Sequence, residues 1–300
     1  MKLSNIKEDE SQRVLVYGPP KSGKTEAMGK LAETHDLIWF DMEDGIKTLA
    51  KLPDELKERI DVVQIPESKS DPIAINTMLK LITWIPGTVC VEHGAWDCVA
   101  CKRNSLPVTE INLRNKDWSK TIIVVDSLSA LAESAMNHVM RGREVTKKPE
   151  WDDYAAQGAL MSKFLSSVQT SRMNWMMATH EMEVEREDGT LVLVPVSGTR
   201  SFSRNTGKYF DHVAYMRVKG GRHTAGSATT YLDKVHTGSR LSVKVEAGAE
   251  IDLRPFFSAE IRAASMKITA AETKNTLQGA KSQLAAGIGK PPSVIGGIKK

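Results

Sequence analysis

The sequence predicts an α/β fold in which a mostly parallel sheet is flanked by helices, with antiparallel strands toward the C-terminal part. Three features predict it. Short apolar runs alternate with helix-length amphipathic stretches. One run, Ile122-Ile123-Val124-Val125, is apolar at consecutive positions, as a strand covered on both faces must be. A glycine-bearing loop over residues 18–25 separates the first strand from the first helix.

In chain order, residues 13–17 read as a buried strand, and a helical stretch covers about 25–33. A second apolar strand over 37–40 ends in Asp41-Met42-Glu43-Asp44-Gly45. A helix is expected over 46–59, a short strand over 62–65, and a helix introduced by Asp71-Pro72 that runs to about 84. From 86 to 118 the periodicity disappears, and turn residues, cysteines and charges mark an insertion. The pattern resumes with a strand over 121–126, a helix over about 128–140, a basic loop, a long helix over about 154–170 and a strand over 175–179. Asp188-Gly189 between β-prone arms predicts a projecting hairpin over 183–196. Residues 213–218, 229–232 and 241–245 read as further strands. The core is expected over 1–266, followed by a flexible basic tail over 267–300 that lacks aromatic residues.

Composition narrows the function classes. A chain of 300 residues, 41% hydrophobic and 26% charged, is long enough for one sizeable α/β domain with embellishments. No apolar run approaches the roughly 20 residues of a membrane helix, and the polar residues before the first strand do not read as a signal peptide. The expected location is cytoplasmic, with no membrane partner. A net charge of +4 permits a polyanionic partner without demanding one.

The strongest chemical signal is Gly18-Pro19-Pro20-Lys21-Ser22-Gly23-Lys24-Thr25, which meets the G-x-x-x-x-G-K-[ST] pattern in full. The glycines let the backbone wrap phosphates, Lys24 should reach the β- and γ-phosphates of ATP, and the Thr25 hydroxyl should ligate Mg²⁺. Glu26, next on the helix, completes the expected nucleotide-binding set. Asp126, ending an apolar strand, is the candidate second holder of magnesium. A group must also orient or deprotonate water: Glu43 is the first choice and Asp41 the second. His180, after the strand 175–179, should face the same crevice and could sense the γ-phosphate. The chain therefore reads as a P-loop nucleoside triphosphatase.

With these segments in this order, joined by Asn205-Thr206-Gly207-Lys208-Tyr209-Phe210, the chain resembles the RecA-like recombinases. Trp151-Asp152-Asp153-Tyr154 with Gln157-Gly158 looks more like the phage-encoded, core-only RecA-like ATPases of single-strand annealing and recombination. The resemblance covers about 12–257. It implies Lys24, Thr25 and Asp126 on phosphate and magnesium, Glu43 on the attacking water, and His180 as a polar sensor. It also implies two DNA-binding loops, about 140–152 and 181–205. The first carries Arg141, Arg143, Lys147 and Lys148; the second is acidic in its first arm and basic only at Arg200 and Arg204. The family completes its sites across subunits, which makes Lys208 and Lys219 the first candidates for a trans-acting cation, with Arg217 and Arg222 behind them. A bacteriophage ring or filament bound to single-stranded DNA is the implied assembly, with a single-strand-binding or annealing protein as a further partner. The alternatives are a helicase- or loader-type motor and an ATP-dependent regulatory switch acting on protein partners.

Cys90, His93, Cys98 and Cys101 form C-x₂-H-x₄-C-x₂-C and contain all three cysteines of the chain. Three thiolates and one imidazole at this spacing suit a structural zinc ion (Zn²⁺), which would replace the core so short an insertion cannot build. Lys102, Arg103, Arg114, Lys116 and Trp96 could make this knuckle-like insertion a nucleic-acid contact. The basic tail could bind nucleic acid, dock a partner or simply solubilise.

Overall fold

The structure, a computed structural model, describes residues 11–67, 71–144, 146–219, 222–226, 235, 237–239 and 249–263. One compact unit runs from Met1 to Phe257, and Ser258–Lys300 forms a second. Only 258–263 of the second are described. The expected strands over 229–232 and 241–245, and the expected tail, lie outside the described residues.

β1 (Arg13–Tyr17) leads through the phosphate loop to α1 (Lys24–Gly29), whose last turn tightens into a 3-10 segment, Lys30–Glu33. β2 (Asp36–Asp41) follows. The single helix expected over 46–59 is two short ones, α2 (Ile46–Leu49) and α3 (Asp54–Lys57). Pro53 causes the break, because it has no N–H to donate and adopts an extended ψ of 148° before α3. β3 (Ile60–Gln64) and α4 (Ile73–Leu81) lead into the insertion, where β4 (Gly87–Cys90), α5 (Val99–Arg103) and β5 (Val108–Ile111) are ordered. Strands of four residues are too short to display a period, so this order was invisible to pattern reading.

β6 (Thr121–Asp126), α6 (Leu128–Val139), α7 (Trp151–Thr170) and β7 (Asn174–Thr179) restore the alternation. α7 begins three residues before the expected start. Glu150 and Asp153 close a reciprocal capping box there, which satisfies the first free N–H groups of the helix. The hairpin is β8 (Glu181–Glu185) with β9 (Leu191–Pro195). Then come α8 (Arg200–Asn205), a 3-10 turn (Thr206–Tyr209), β10 (His212–Lys219), β11 (Arg222–Gly226), β12 (Gly238–Ser239), β13 (Ala249–Glu250) and α9 (Arg254–Phe257).

Among the described residues the main sheet has the order β13-β11-β10-β1-β7-β6-β2-β3, with β12 beside β10. The pairs from β10 to β3 are parallel, and β11, β12 and β13 join antiparallel. Alternate residues of β1 serve different layers: Leu15 and Tyr17 pack with α4, α6 and α7, whereas Val14 and Val16 pack with α1 and α9. Below the sheet, Arg13 is paired with Asp211 at 2.6 Å and donates to the carbonyls of Gln169 and Ser171. Parallel pairing brings Tyr17, Asp41, Asp126 and Thr179 to one carboxyl edge, with the phosphate loop above it. None of the described helices is long and apolar enough to cross a membrane.

Candidate functional site

The phosphate loop is shaped by close approaches. A Cβ on Gly18 would lie 2.0 Å from the Met216 carbonyl oxygen, so only glycine lets the loop leave β1 against β10. Gly23, at φ +88°, sits in the left-handed region immediately before α1. The Lys24 ammonium donates to Gly18 O at 3.0 Å and Pro19 O at 2.9 Å, within the loop that would cradle phosphates. Burial lowers its pKa, opposed by the charges of Asp126, Glu43 and Glu181. Pro20 and Lys21 are exposed on the loop's outer side and Ser22 is buried beneath. Glu26 faces solvent and pairs with Lys30 at 3.2 Å.

Asp126 ends β6 opposite Asp41 of β2. It is buried, and its Oδ2 accepts the Thr25 hydroxyl at 2.9 Å. Burial first, helped by the nearby Glu43 and Asp41 charges, pushes the Asp126 carboxyl up to about 7. Two oxygens converge here beside further carboxylates, a donor set that fits a hard divalent cation such as Mg²⁺. Gly45 shares this corner: a Cβ there would stand 2.9 Å from Asp126 Oδ2 and 3.3 Å from the Thr25 methyl. Pattern reading missed Gly45, although a glycine closing the acidic turn after β2 was its signal.

Glu43 and Asp41 separate cleanly. Both Asp41 oxygens are occupied by its own turn, accepting from Glu43 N, Gly45 N at 2.9 Å and Ile46 N at 3.1 Å. Asp41 therefore builds the loop that presents Glu43. The Glu43 carboxylate accepts from Ser127 Oγ and faces His180 Nε2 at 3.4 Å. Burial alone would raise its pKa, but hydrogen bonds from His180 and Ser127 outweigh burial and hold it below the usual glutamate value. Ser127 follows Asp126 at the start of α6. It caps α6 through Ala130 N, and it also links Asp126 to Glu43 along the chain. His180 Nδ1 is buried without a hydrogen-bond partner among the described residues.

A further residue escaped pattern reading. His223, on β11, hydrogen-bonds through Nδ1 to Ser22 O at 2.9 Å and stands over Gly23. The sheet edge thus reaches the phosphate loop.

The basic residues expected on DNA fare differently from one another. Arg143 forks onto Asp153, with bonds of 2.7 and 2.8 Å to a carboxylate only 5% exposed, so it fastens the loop to α7 instead of presenting a cation. Arg141 lies 3.6 Å from Asp71, and Lys147 3.1 Å from Glu150, in exposed pairs; Lys148 is exposed. Arg200 is exposed at the start of α8. Arg204 donates to the Glu185 carbonyl of the hairpin. Lys208 precedes β10, at the sheet edge opposite the phosphate loop, with its ammonium 4.9 Å from the Tyr209 ring centre. The length of a five-residue strand, about 17 Å, separates it from the phosphate loop of its own chain. Lys219 ends β10 on the phosphate-loop side; its side chain, like that of Arg222, lies outside the description.

In the insertion, antiparallel β4 and β5 place Cys90 opposite Val108. A turn closed by Gly94 N to Cys90 O at 2.9 Å swings His93 back, and α5 carries Cys101 one turn beyond Cys98. The ligand atoms of Cys90, His93, Cys98 and Cys101 all lie within 4.8 Å of one another. His93 Nδ1 is 3.7, 3.2 and 3.8 Å from the sulfurs of Cys90, Cys101 and Cys98. A tetrahedral zinc ion with ordinary Zn–S and Zn–N lengths sets such edges at about 3.6 Å. The cluster could hold zinc with little rearrangement. A hydrogen bond from the Cys101 N–H, ahead of other thiols, brings Cys98 down to about 7, whereas burial and neighbouring thiols push Cys101 up to about 12. Trp96 packs on Gly87 and against the central core while staying partly exposed.

A family model described as AAA domain matches residues 10–241, more than half of the chain. No curated protein matches the chain.

Proposed function

This chain belongs to the AAA domain family of nucleotide-hydrolysing P-loop ATPases, and from that premise we propose a RecA-like ATPase that hydrolyses ATP while bound to single-stranded DNA. Its work is annealing or strand exchange in recombination, of the kind phages encode, in the cytoplasm of the host. The observation that carries this reading is the Glu43 carboxylate, shared between Ser127 beside Asp126 and His180 at the root of the β8–β9 segment.

The loop 18–25 and Lys24 bind and orient the triphosphate. Thr25 and Asp126 would hold Mg²⁺, which supplies charge neutralisation at the β- and γ-phosphates. Glu43 accepts a hydrogen bond from the attacking water and aims it at the γ-phosphorus. Its lowered pKa makes it a poor base for bulk water, so it orients first and takes the proton as the new P–O bond forms. Ser127 and His180 hold the carboxylate in place. When Glu43 exchanges the His180 contact for water, His180 is released toward the hairpin and α8, which couples turnover to whatever Arg200 touches. Lys208, from a neighbour in a ring or filament, would steady charge on the departing phosphate. A zinc ion on Cys90, His93, Cys98 and Cys101 serves the insertion's fold.

The decisive experiment measures steady-state ATP turnover with and without single-stranded DNA across a salt series. Stimulation of tenfold or more at low salt, fading as salt rises, is expected. Turnover indifferent to DNA at every salt concentration removes the recombination reading. The acidic arm Glu181, Glu183 and Glu185 of β8 would then favour the regulatory switch with a basic protein partner.

A further inference from the structure

We propose that Trp151 and Tyr154, on the first turn of α7, form a base-stacking platform for unpaired nucleotides. The proposal rests on the single-stranded DNA reading above and names the side chains that would make it selective for single strands. Trp151 is 87% exposed, the highest value of any large hydrophobic residue among those described, and Tyr154 is 42% exposed. Three residues apart on a helix, they share one face. Neither sits on a frayed end. The Glu150–Asp153 capping box and the Arg143 fork on Asp153 hold this turn, so two aromatic rings are displayed on a rigid support.

The surroundings say what would cover them. Lys147 and Lys148 precede the platform, and the Lys147–Glu150 pair is an exposed one that a phosphate can displace. Gly158 continues the same face two turns on, about 10 Å from Trp151 at 1.5 Å per residue. There Phe202 of α8 approaches to 3.9 Å from a Cβ placed on Gly158, and Gly198 lies against Gln157. Exposed Arg200 therefore begins α8 beside the far end of the platform. Glu144, Glu150 and Asp152 are the opposing charges nearby. Aromatic rings bracketed by cations are what an unpaired strand needs: ring faces for bases and cations for phosphates. A duplex hides its base faces and cannot use the rings.

The test uses the full-length protein with an oligo-dT strand, the same strand bearing abasic sites, and a duplex. Trp151→Ala should weaken oligo-dT binding about tenfold, leave abasic-strand binding unchanged and keep the salt dependence. Trp151→Phe should recover most of the loss. Lys148→Ala should weaken both strands alike and reduce the salt slope by about one. Unchanged oligo-dT affinity in Trp151→Ala overturns the proposal, and so does equal loss on the abasic strand. A shift in sedimentation with unchanged DNA affinity would instead assign the face to subunit contact. Wild-type protein that binds neither strand at any salt fails the underlying reading, an outcome distinct from all of these.

Discussion

Asp41 and Asp126 meet at the ends of β2 and β6, strands joined over six registered pairs inside a sheet covered on both faces. Cys90 ends β4, joined to β5 over four pairs in a two-stranded sheet. The first site is held by the fold and needs no ligand to set its geometry. The second brings together three sulfurs and an imidazole on a short segment with few buried apolar residues of its own, chiefly Val89, Ile111 and Leu113. Where the core is large, chemistry can be placed on strand ends; where it is small, a bound ion would add to the order.

The largest effect that could break this contrast concerns zinc. Protein purified without chelator should carry close to one zinc per chain. Its removal should cost the insertion about 10 kcal/mol or more of local folding free energy, read as lost hydrogen-exchange protection in β4 and β5 while β1, β6 and β7 stay protected. Full protection in zinc-free protein would show that the hairpin needs no ion. Next in size, Glu43→Gln should reduce kcat by roughly 10²–10⁴ with ATP affinity little changed. Equal loss in the zinc-free wild type would erase the distinction between the two regions.

Asp126 sharpens the comparison by way of pH. Its carboxyl titrates near 7 in the folded chain against an ordinary 3.8, so between those values the folded state holds a proton that the unfolded state has lost. Stability from this group is complete below 3.8 and drains away as pH rises toward 7. Without magnesium, Asp126→Asn should therefore be the more stable protein at pH 8, by up to about 4 kcal/mol, and close to wild type near pH 4. Denaturant midpoints at the two pH values check this, and magnesium should narrow the gap at pH 8. The smallest effect is at the junction of the two regions. Thr77 Oγ1 donates to Gly94 O at 2.9 Å in a buried setting, and Thr77→Val should cost about 1 kcal/mol in urea denaturation with no change in turnover.

The phosphate loop, Asp126 and Glu43 were legible because each follows an apolar strand, and parallel strands deliver their ends to one edge. The clustering of Cys90, His93, Cys98 and Cys101 was legible from spacing alone. Ser127, Gly45 and His223 were not, because their roles depend on which loops meet across the edge. His223 comes from β11, about two hundred residues from the loop it touches. The Arg143–Asp153 pair was hidden for a related reason: a cation in a basic loop reads as a phosphate contact, and the sequence does not show the buried carboxylate that pairs with it. Pro53, by contrast, was in plain sight and should have split the helix expected over 46–59.

Gly94 carries one more consequence. At φ +66° it lies so close to β3 that a Cβ would stand 2.6 Å from Ile65 Cα, while its carbonyl takes the Thr77 hydroxyl. Val89, Ile111 and Leu113 also belong to the same core cluster as Ile65 and Met78. Excising residues 86–118 and splicing the ends together would therefore strip part of the main core and strand a buried hydroxyl. A shortened relative would need an apolar residue in place of Thr77 and a bulkier cover for Ile65. The insertion behaves as a graft that has taken, and transplanting it into another scaffold would require moving its bed as well.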